Sequence, residues 1–264
     1  MLMEVKNQIK VTFLSIKYAL LREMLNKVTF LSNVIFMILN NASWIIQWIV
    51  LYNINDNIGG YTFKMLLLLW GLASLTYGVS HFFFKGAYNL SDLIVNGSLD
   101  NYLVQPKNVL ISVITSSITV SAIGDIIYGY IMLFIYGYNI KKFILFTIFG
   151  ISGGLILTSL TIIFNSLSFF INRSDIIAER VNSLMTNFAT YPDGIFKGIV
   201  KFILYTVIPV GLSSYIPVSL ICKFDIKLFM LVIVFTVIMI VLSFVIFYKG
   251  LKKYSSSNLM NVRV

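Results

Sequence analysis

The chain reads as an all-α integral membrane protein that crosses the bilayer six times. Three features carry that reading: a composition too apolar for water, a series of long hydrophobic runs, and basic residues gathered in the gaps between them. Hydrophobic residues make up 58% of the 264 residues, charged residues 11%, and the mean hydropathy is +0.90. A soluble chain is about half apolar and about a quarter charged, so lipid must cover most of this one. A net charge of +10 would point to nucleic acid in a soluble domain. Here the basic residues lie between apolar runs, so they read as topology signals and contacts to anionic membrane lipid, and no nucleic-acid partner is expected.

Taken in order, residues 1–27 come first. Val5, Ile9, Phe13, Ile16 and Leu20 recur at helical spacing, with Lys6, Lys10 and Lys17 off the stripe. Such a helix is expected to lie along the membrane surface; the alternative is packing on another soluble element. Charges run through this segment without a compact apolar region, so no cleavable signal is expected.

A bilayer span needs about 20 mostly apolar residues. Residues 61–84, 109–136, 143–171 and 228–248 meet this clearly. Residues 28–52 are long enough but carry Asn33, Asn40, Asn41 and Gln47. Residues 174–221 hold either one span centred on 195–210, or a polar span over 174–191 followed by a re-entrant hairpin. Both parsings give six crossings and put both termini on one side. With the second, thirteen Lys and Arg fall on the side of the termini, among them Arg173, Arg180 and Arg263, against seven on the other. The bias places both termini in the cytoplasm. Residues 85–108 form a long, half-polar loop, in which 87–99 are expected to make a short amphipathic helix ending before Pro106. Residues 249–264 form a polar tail. No internal repeat divides the chain, which is expected to be a single membrane domain over 1–264.

Catalytic options are few. His81 is the only histidine, which excludes an HExxH zinc site, and Cys222 is the only cysteine, which excludes an internal disulfide. No GxxxxGK[ST] loop is present, so the chain does not bind ATP in the P-loop manner by itself. No cofactor or metal is expected on it.

Polar residues inside the apolar runs point to function or to helix contacts, because lipid penalises unpaired polarity. Asn33, Asn40 and Gln47 lie seven residues apart and share a face; that face either lines a translocation path or glues helices together. Asp125 sits several turns from either end of the 109–136 run. It is a functional carboxylate, or protonated, or capped by a lysine of the outer hairpin. Glu179 and Arg180 open the polar fifth segment, where they meet substrate or solvate a helix end. Gly150 and Gly154 form a small-xxx-small pair that lets another helix approach.

Three stretches then belong together: Gly97-Ser98-Leu99-Asp100-Asn101-Tyr102-Leu103-Val104-Gln105-Pro106; Tyr191-Pro192-Asp193-Gly194-Ile195-Phe196 with Ile208-Pro209 and Tyr215-Ile216-Pro217; and Gly250-Leu251-Lys252-Lys253-Tyr254-Ser255-Ser256. Their order and spacing resemble the ABC-2 type exporter permeases, specifically the small six-span subfamily once called DUF990. Gln105 stands before Pro106 where this family often has a basic residue. The resemblance covers nearly the whole chain. It implies a membrane permease driven by separate ABC ATPase subunits, which would carry the ATP and magnesium. It implies a second permease, identical or paralogous, with the path at their interface, in a bacterial plasma membrane. The loop after the second span would hold a coupling helix docking on the ATPase, with Leu90, Leu93 and Ile94 as apolar knobs, Asp92 and Asp100 as polar contacts, and Gly97 in the same motif. It selects the second parsing, with residues 192–222 as the outer re-entrant hairpin. The rival is a stand-alone ion-coupled transporter or a membrane enzyme, favoured only by Asp125 with Glu179 as a sparse proton relay.

Overall fold

The computed structural model describes residues 2–171 and 174–255. Arg173, Arg263, Ser256 with the tail beyond it, and the side chain of Val5 lie outside the described residues. Every regular element among those described is helical. In chain order they are α1 (Leu2–Glu23), α2 (Lys27–Ile54), α3 (Phe63–Phe83), α4 (Leu90–Val95), α5 (Asp100–Leu103), α6 (Val109–Ile114), α7 (Ser121–Gly137), α8 (Ile140–Asn165), α9 (Asp175–Phe188), α10 (Gly198–Thr206), α11 (Ile216–Cys222) and α12 (Ile226–Leu251). A 3-10 turn over Ser166–Phe169 extends α8.

Four helices are long and apolar enough to cross a membrane: α2, α3, α8 with its extension, and α12. The pair formed by α10 and the segment Gly211–Cys222, bent by 72°, makes a fifth if it is one span. Caps fix where several begin. Asn26, Thr62, Asn139 and Asp225 each accept a backbone N–H of the first turn of α2, α3, α8 and α12.

α3 is the centre, with α7 and α8 packed on it, α2 outside α7, and α12 outside α8. Glycines allow the close approaches. A Cβ on Gly71 would stand 2.7 Å from Met132 Cβ and 2.9 Å from the Gly129 carbonyl; one on Gly78 would stand 2.7 Å from Ile126. The Gly150/Gly154 pair works as its spacing suggests: it receives Leu75 and Val79 of α3. Hydroxyl pairs add polar ties, Ser80 to Thr158 at 2.8 Å between α3 and α8, and Ser152 to Thr236 between α8 and α12. Such bonds average about 0.6 kcal/mol in membranes.

Three expected elements differ in the structure. The run 109–136 is broken into α6 and α7. The break falls in the Ser- and Thr-rich stretch 115–120, where Thr115 Oγ1 bonds back to Ile111 O at 2.8 Å and Thr119 N leaves the helical pattern to donate to His81 O of α3 at 3.1 Å. α6 then lies against Gly86, where any Cβ would collide with the Val113 carbonyl. The helix expected over 87–99 is likewise interrupted. A 3-10 turn (Lys85–Asn89) leads into α4, and Gly97, at φ 72°, turns the chain before α5. The polar fifth span is shorter than expected: α9 has 14 residues, about 21 Å at 1.5 Å per residue, against a hydrocarbon core of about 30 Å.

In α1, Ile9 and Phe13 of the expected stripe face away from the rest of the chain. The helix touches its neighbours through small and polar groups instead: Ser15 Oγ donates to Thr115 O at 3.0 Å, and Gln8 Oε1 accepts from Asn108 N at 2.9 Å. Ile16 and Leu20 of the stripe are half-buried, and the exposed part, Ile9 and Phe13, is what an interfacial helix presents to lipid.

Candidate functional site

A polar cleft runs between α3 and α9, in two chambers that share Tyr77 and Thr186. α9 supplies one wall. Asp175, Glu179, Asn182 and Thr186 follow one another at three- and four-residue steps, which stacks them on a single helix face. Ala178 and Met185 are its buried residues.

The larger chamber, about 460 Å³, lies toward the 85–95 loop. Across it from Asp175 and Glu179 stand His81, Lys85 and Tyr88. The His81 ring is stacked between Tyr77, at 3.7 Å between centroids, and Tyr88, at 4.1 Å. Its Nδ1 lies 3.2 Å from the Tyr77 carbonyl, which can only accept, so Nδ1 carries the proton. Lys85 Nζ sits 5.1 Å from the Tyr88 ring centroid. Burial lowers the Lys85 ammonium below its ordinary pKa and raises the Tyr88 phenol above its own. This chamber therefore has an acidic wall and a basic wall facing each other.

The smaller chamber, about 260 Å³, is lined by Asn40, Asn41, Trp70, Tyr77, Asp125 and Thr190 among others. Asp125 lies one turn into α7, not several turns from a helix end, because α6 and α7 are separate. Its depth is set by its neighbours, Asn41 midway along α2 and the centre of α3. Asp125 is 3% exposed, and its Oδ1 accepts from Asn41 Nδ2 at 2.6 Å. Its partner is thus an amide of α2 and not a lysine of the 192–222 segment.

The remaining expected residues are placed as follows. Asn33, Asn40 and Gln47 are all exposed on α2; Asn40 alone of the three lines the small chamber. Glu179 lines the large chamber, whereas Arg180 points away, exposed. In the loop, Leu90 and Ile94 do not protrude as knobs. Both are fully buried with Leu110, Ile162, Phe169 and Phe247 in this chain's own core. Gly97 is buried, and Asp100 is half-buried near Tyr254, whose phenol burial and then the Asp100 carboxylate push upward. Leu93 is half-buried and Asp92 exposed, and Asn89, Asp92 and Asn96 make one exposed face.

That loop is fastened to the cleft. Ser168 Oγ lies 2.6 Å from Ser91 Oγ in α4 and 2.6 Å from Ser174 Oγ at the start of α9. Ser174 Oγ donates to Asn165 O at 3.1 Å, and Asn165 Nδ2 donates to Ala87 O at 3.1 Å. Sequence reading noted Asn41 only as a polar residue of its run and gave no site role to Asn41, Tyr77, Lys85 or this serine cluster. The spacing of 175, 179, 182 and 186 was the signal available for the α9 wall.

The cleft offers amides, hydroxyls, aromatic faces and opposed charges, groups suited to holding an amphipathic ligand. Cys222 lies elsewhere, exposed, with Sγ 3.3 Å from the Tyr136 hydroxyl. Compared with known proteins, residues 34–258 match the family described as ABC-2 family transporter protein. No curated protein and no protein of solved structure matches the chain.

Proposed function

Because the chain belongs to the ABC-2 transporter family, matched from residue 34 to 258, we propose that it is the membrane-spanning permease subunit of an ATP-driven exporter whose ATPase is a separate polypeptide. That it is a multi-pass membrane protein follows from the family and from its long apolar helices. The proposal adds six crossings, both termini in the cytoplasm of a bacterial plasma membrane, and residues 192–222 as a re-entrant hairpin on the outer side. α7 and α9 supply the crossings beyond α2, α3, α8 and α12, shielded at their short ends by neighbouring helices. A second permease, identical or paralogous, would complete the path against α2 and α9.

One observation carries the reading: Ser91 of the 85–108 loop is hydroxyl-bonded to Ser168, which is in turn bonded to Ser174, the residue before the cleft's own helix. An ATPase docking on the face made by Asn89, Asp92, Leu93 and Asn96 would push on a segment that moves the α9 wall with it. ATP and magnesium act on the ATPase, and the permease answers by rearranging helices as rigid bodies. Leu90 and Ile94 serve this from inside, by keying the loop into the core.

The test is purification of the tagged chain in mild detergent from its native membrane, with an assay of ATP hydrolysis and identification of its companions. A stoichiometric ATPase is expected. The Leu93→Asp and Asp92→Lys variants should fold yet lose stimulated hydrolysis by about tenfold or more, as charge placed in an interface does. A chain that purifies alone and responds to a proton gradient would replace this reading with an ion-coupled transporter using Asp125 and Glu179.

A further inference from the structure

The small chamber has a composition of its own. Asp125 is almost wholly buried; Asn41 satisfies its Oδ1, while its Oδ2 has no hydrogen-bond partner among the described residues. A half-satisfied carboxylate at membrane depth is costly unless a partner arrives. The chamber's wall holds no lysine, arginine or histidine to serve as that partner. It holds the aromatic rings of Trp70 and Tyr77, the thioether of Met37, and the hydroxyls of Ser74, Thr186 and Thr190.

This set discriminates between ligand classes. A phosphate or carboxylate group would meet Asp125 with no positive side chain to offset it. A hard metal cation would need six or more oxygens, or a shell of retained waters, and would gain nothing from rings and a thioether. An organic ammonium group uses everything present: the free carboxylate oxygen for its charge, ring faces for cation–π contact, and hydroxyls for any N–H. At about 260 Å³ the chamber suits a head group, since drug-sized ligands fill about 300–1,000 Å³. The rest of such a molecule would extend past Tyr77 and Thr186 into the larger chamber.

We infer that this chamber binds the ammonium group of an amine-bearing or quaternary ammonium substrate, with Asp125 as its counter-ion and Trp70 and Tyr77 as its aromatic walls. The inference rests on the permease reading for the word substrate, but the binding site does not depend on it.

The full chain in detergent is titrated by calorimetry with phenyltrimethylammonium and with its neutral isostere tert-butylbenzene, empty micelles serving as the blank. Saturable binding of the cation, at least about tenfold tighter than the isostere, is expected. Asp125→Asn keeps the shape and should remove most of the cation preference, leaving only what the ring faces sustain, without changing isostere binding. Parity in the unchanged protein overturns the proposal, and that comparison stands even if the variant does not fold. A folded variant that keeps its cation preference undiminished overturns it equally. ATPase co-purification is scored separately: cation binding without an ATPase retains the site and removes the exporter, whereas an ATPase with no cation preference does the reverse.

Discussion

α2 and α3 are neighbours of comparable length, yet α3 has 83% of its apolar window buried inside the chain and α2 has 17%. The buried helix is the less hydropathic of the two. In water that order would be reversed. In lipid it is expected, because hydrocarbon tails are as apolar as leucine, and helices associate through close packing and hydrogen bonds. α3 therefore carries the small and hydroxylic residues, Gly71, Ser74, Gly78 and Ser80, that let backbones meet. α2 carries Phe36, Leu39, Trp44 and Ile46 outward and buries only Val34, Ile45, Trp48 and Tyr52. α12 behaves like α2: it is the most hydropathic helix and is mostly uncovered.

The sharpest way to break this contrast is at Gly71. A leucine there meets Met132 Cβ and the Gly129 carbonyl, and neither can rotate away. Gly71→Leu should cost about 3 kcal/mol or more, read as loss of the thermal unfolding transition in detergent. A variant as stable as the parent would show that α3 and α7 do not meet as described.

Ile45→Val probes the one strip by which α2 is anchored, where Ile45 packs with Trp48 and Tyr52. The loss should be about 0.5–1.5 kcal/mol, measured by the same melt. A neutral result would mean that α2 is held mainly by the Asn41–Asp125 bond.

The smallest effect belongs to the outer face of α2. Phe36→Leu should change stability by less than about 0.5 kcal/mol. A larger loss accompanied by a fall in oligomeric size would place a second copy of the chain on that face and redraw the contrast as one between two kinds of protein contact.

Sequence reading recovers what hydropathy controls. The helical class, the four long apolar helices and the close-approach role of Gly150 and Gly154 were legible because length and residue size express them directly; that the partner is α3 was not. The break between α6 and α7 was not, because residues 115–120 contain neither glycine nor proline, and the helix ends where α6 packs on Gly86 and Thr119 N turns to His81 O. The inward turn of Leu90 and Ile94 was hidden for a related reason. An amphipathic six-residue helix looks the same whether its apolar face meets a partner or its own core. At the cleft, Asp125 stood out as a charge inside an apolar run and Glu179 as one opening a polar segment, whereas Asn41, one residue from the expected Asn40 face, needed three dimensions to meet Asp125.

The serine cluster at 91, 168 and 174 has one further implication. None of these hydroxyls carries a formal charge, so a membrane potential does no work on them, whereas each elementary charge moved across the full membrane is worth about 2.3 kcal/mol per 100 mV. The relay from the 85–108 loop to Ser174 therefore moves no charge of its own, and any voltage dependence has to come from Asp175 and Glu179 of α9 or from a charged substrate. In proteoliposomes, ATP hydrolysis without an ammonium substrate should then change less between an interior-negative and an interior-positive potassium gradient than hydrolysis with one.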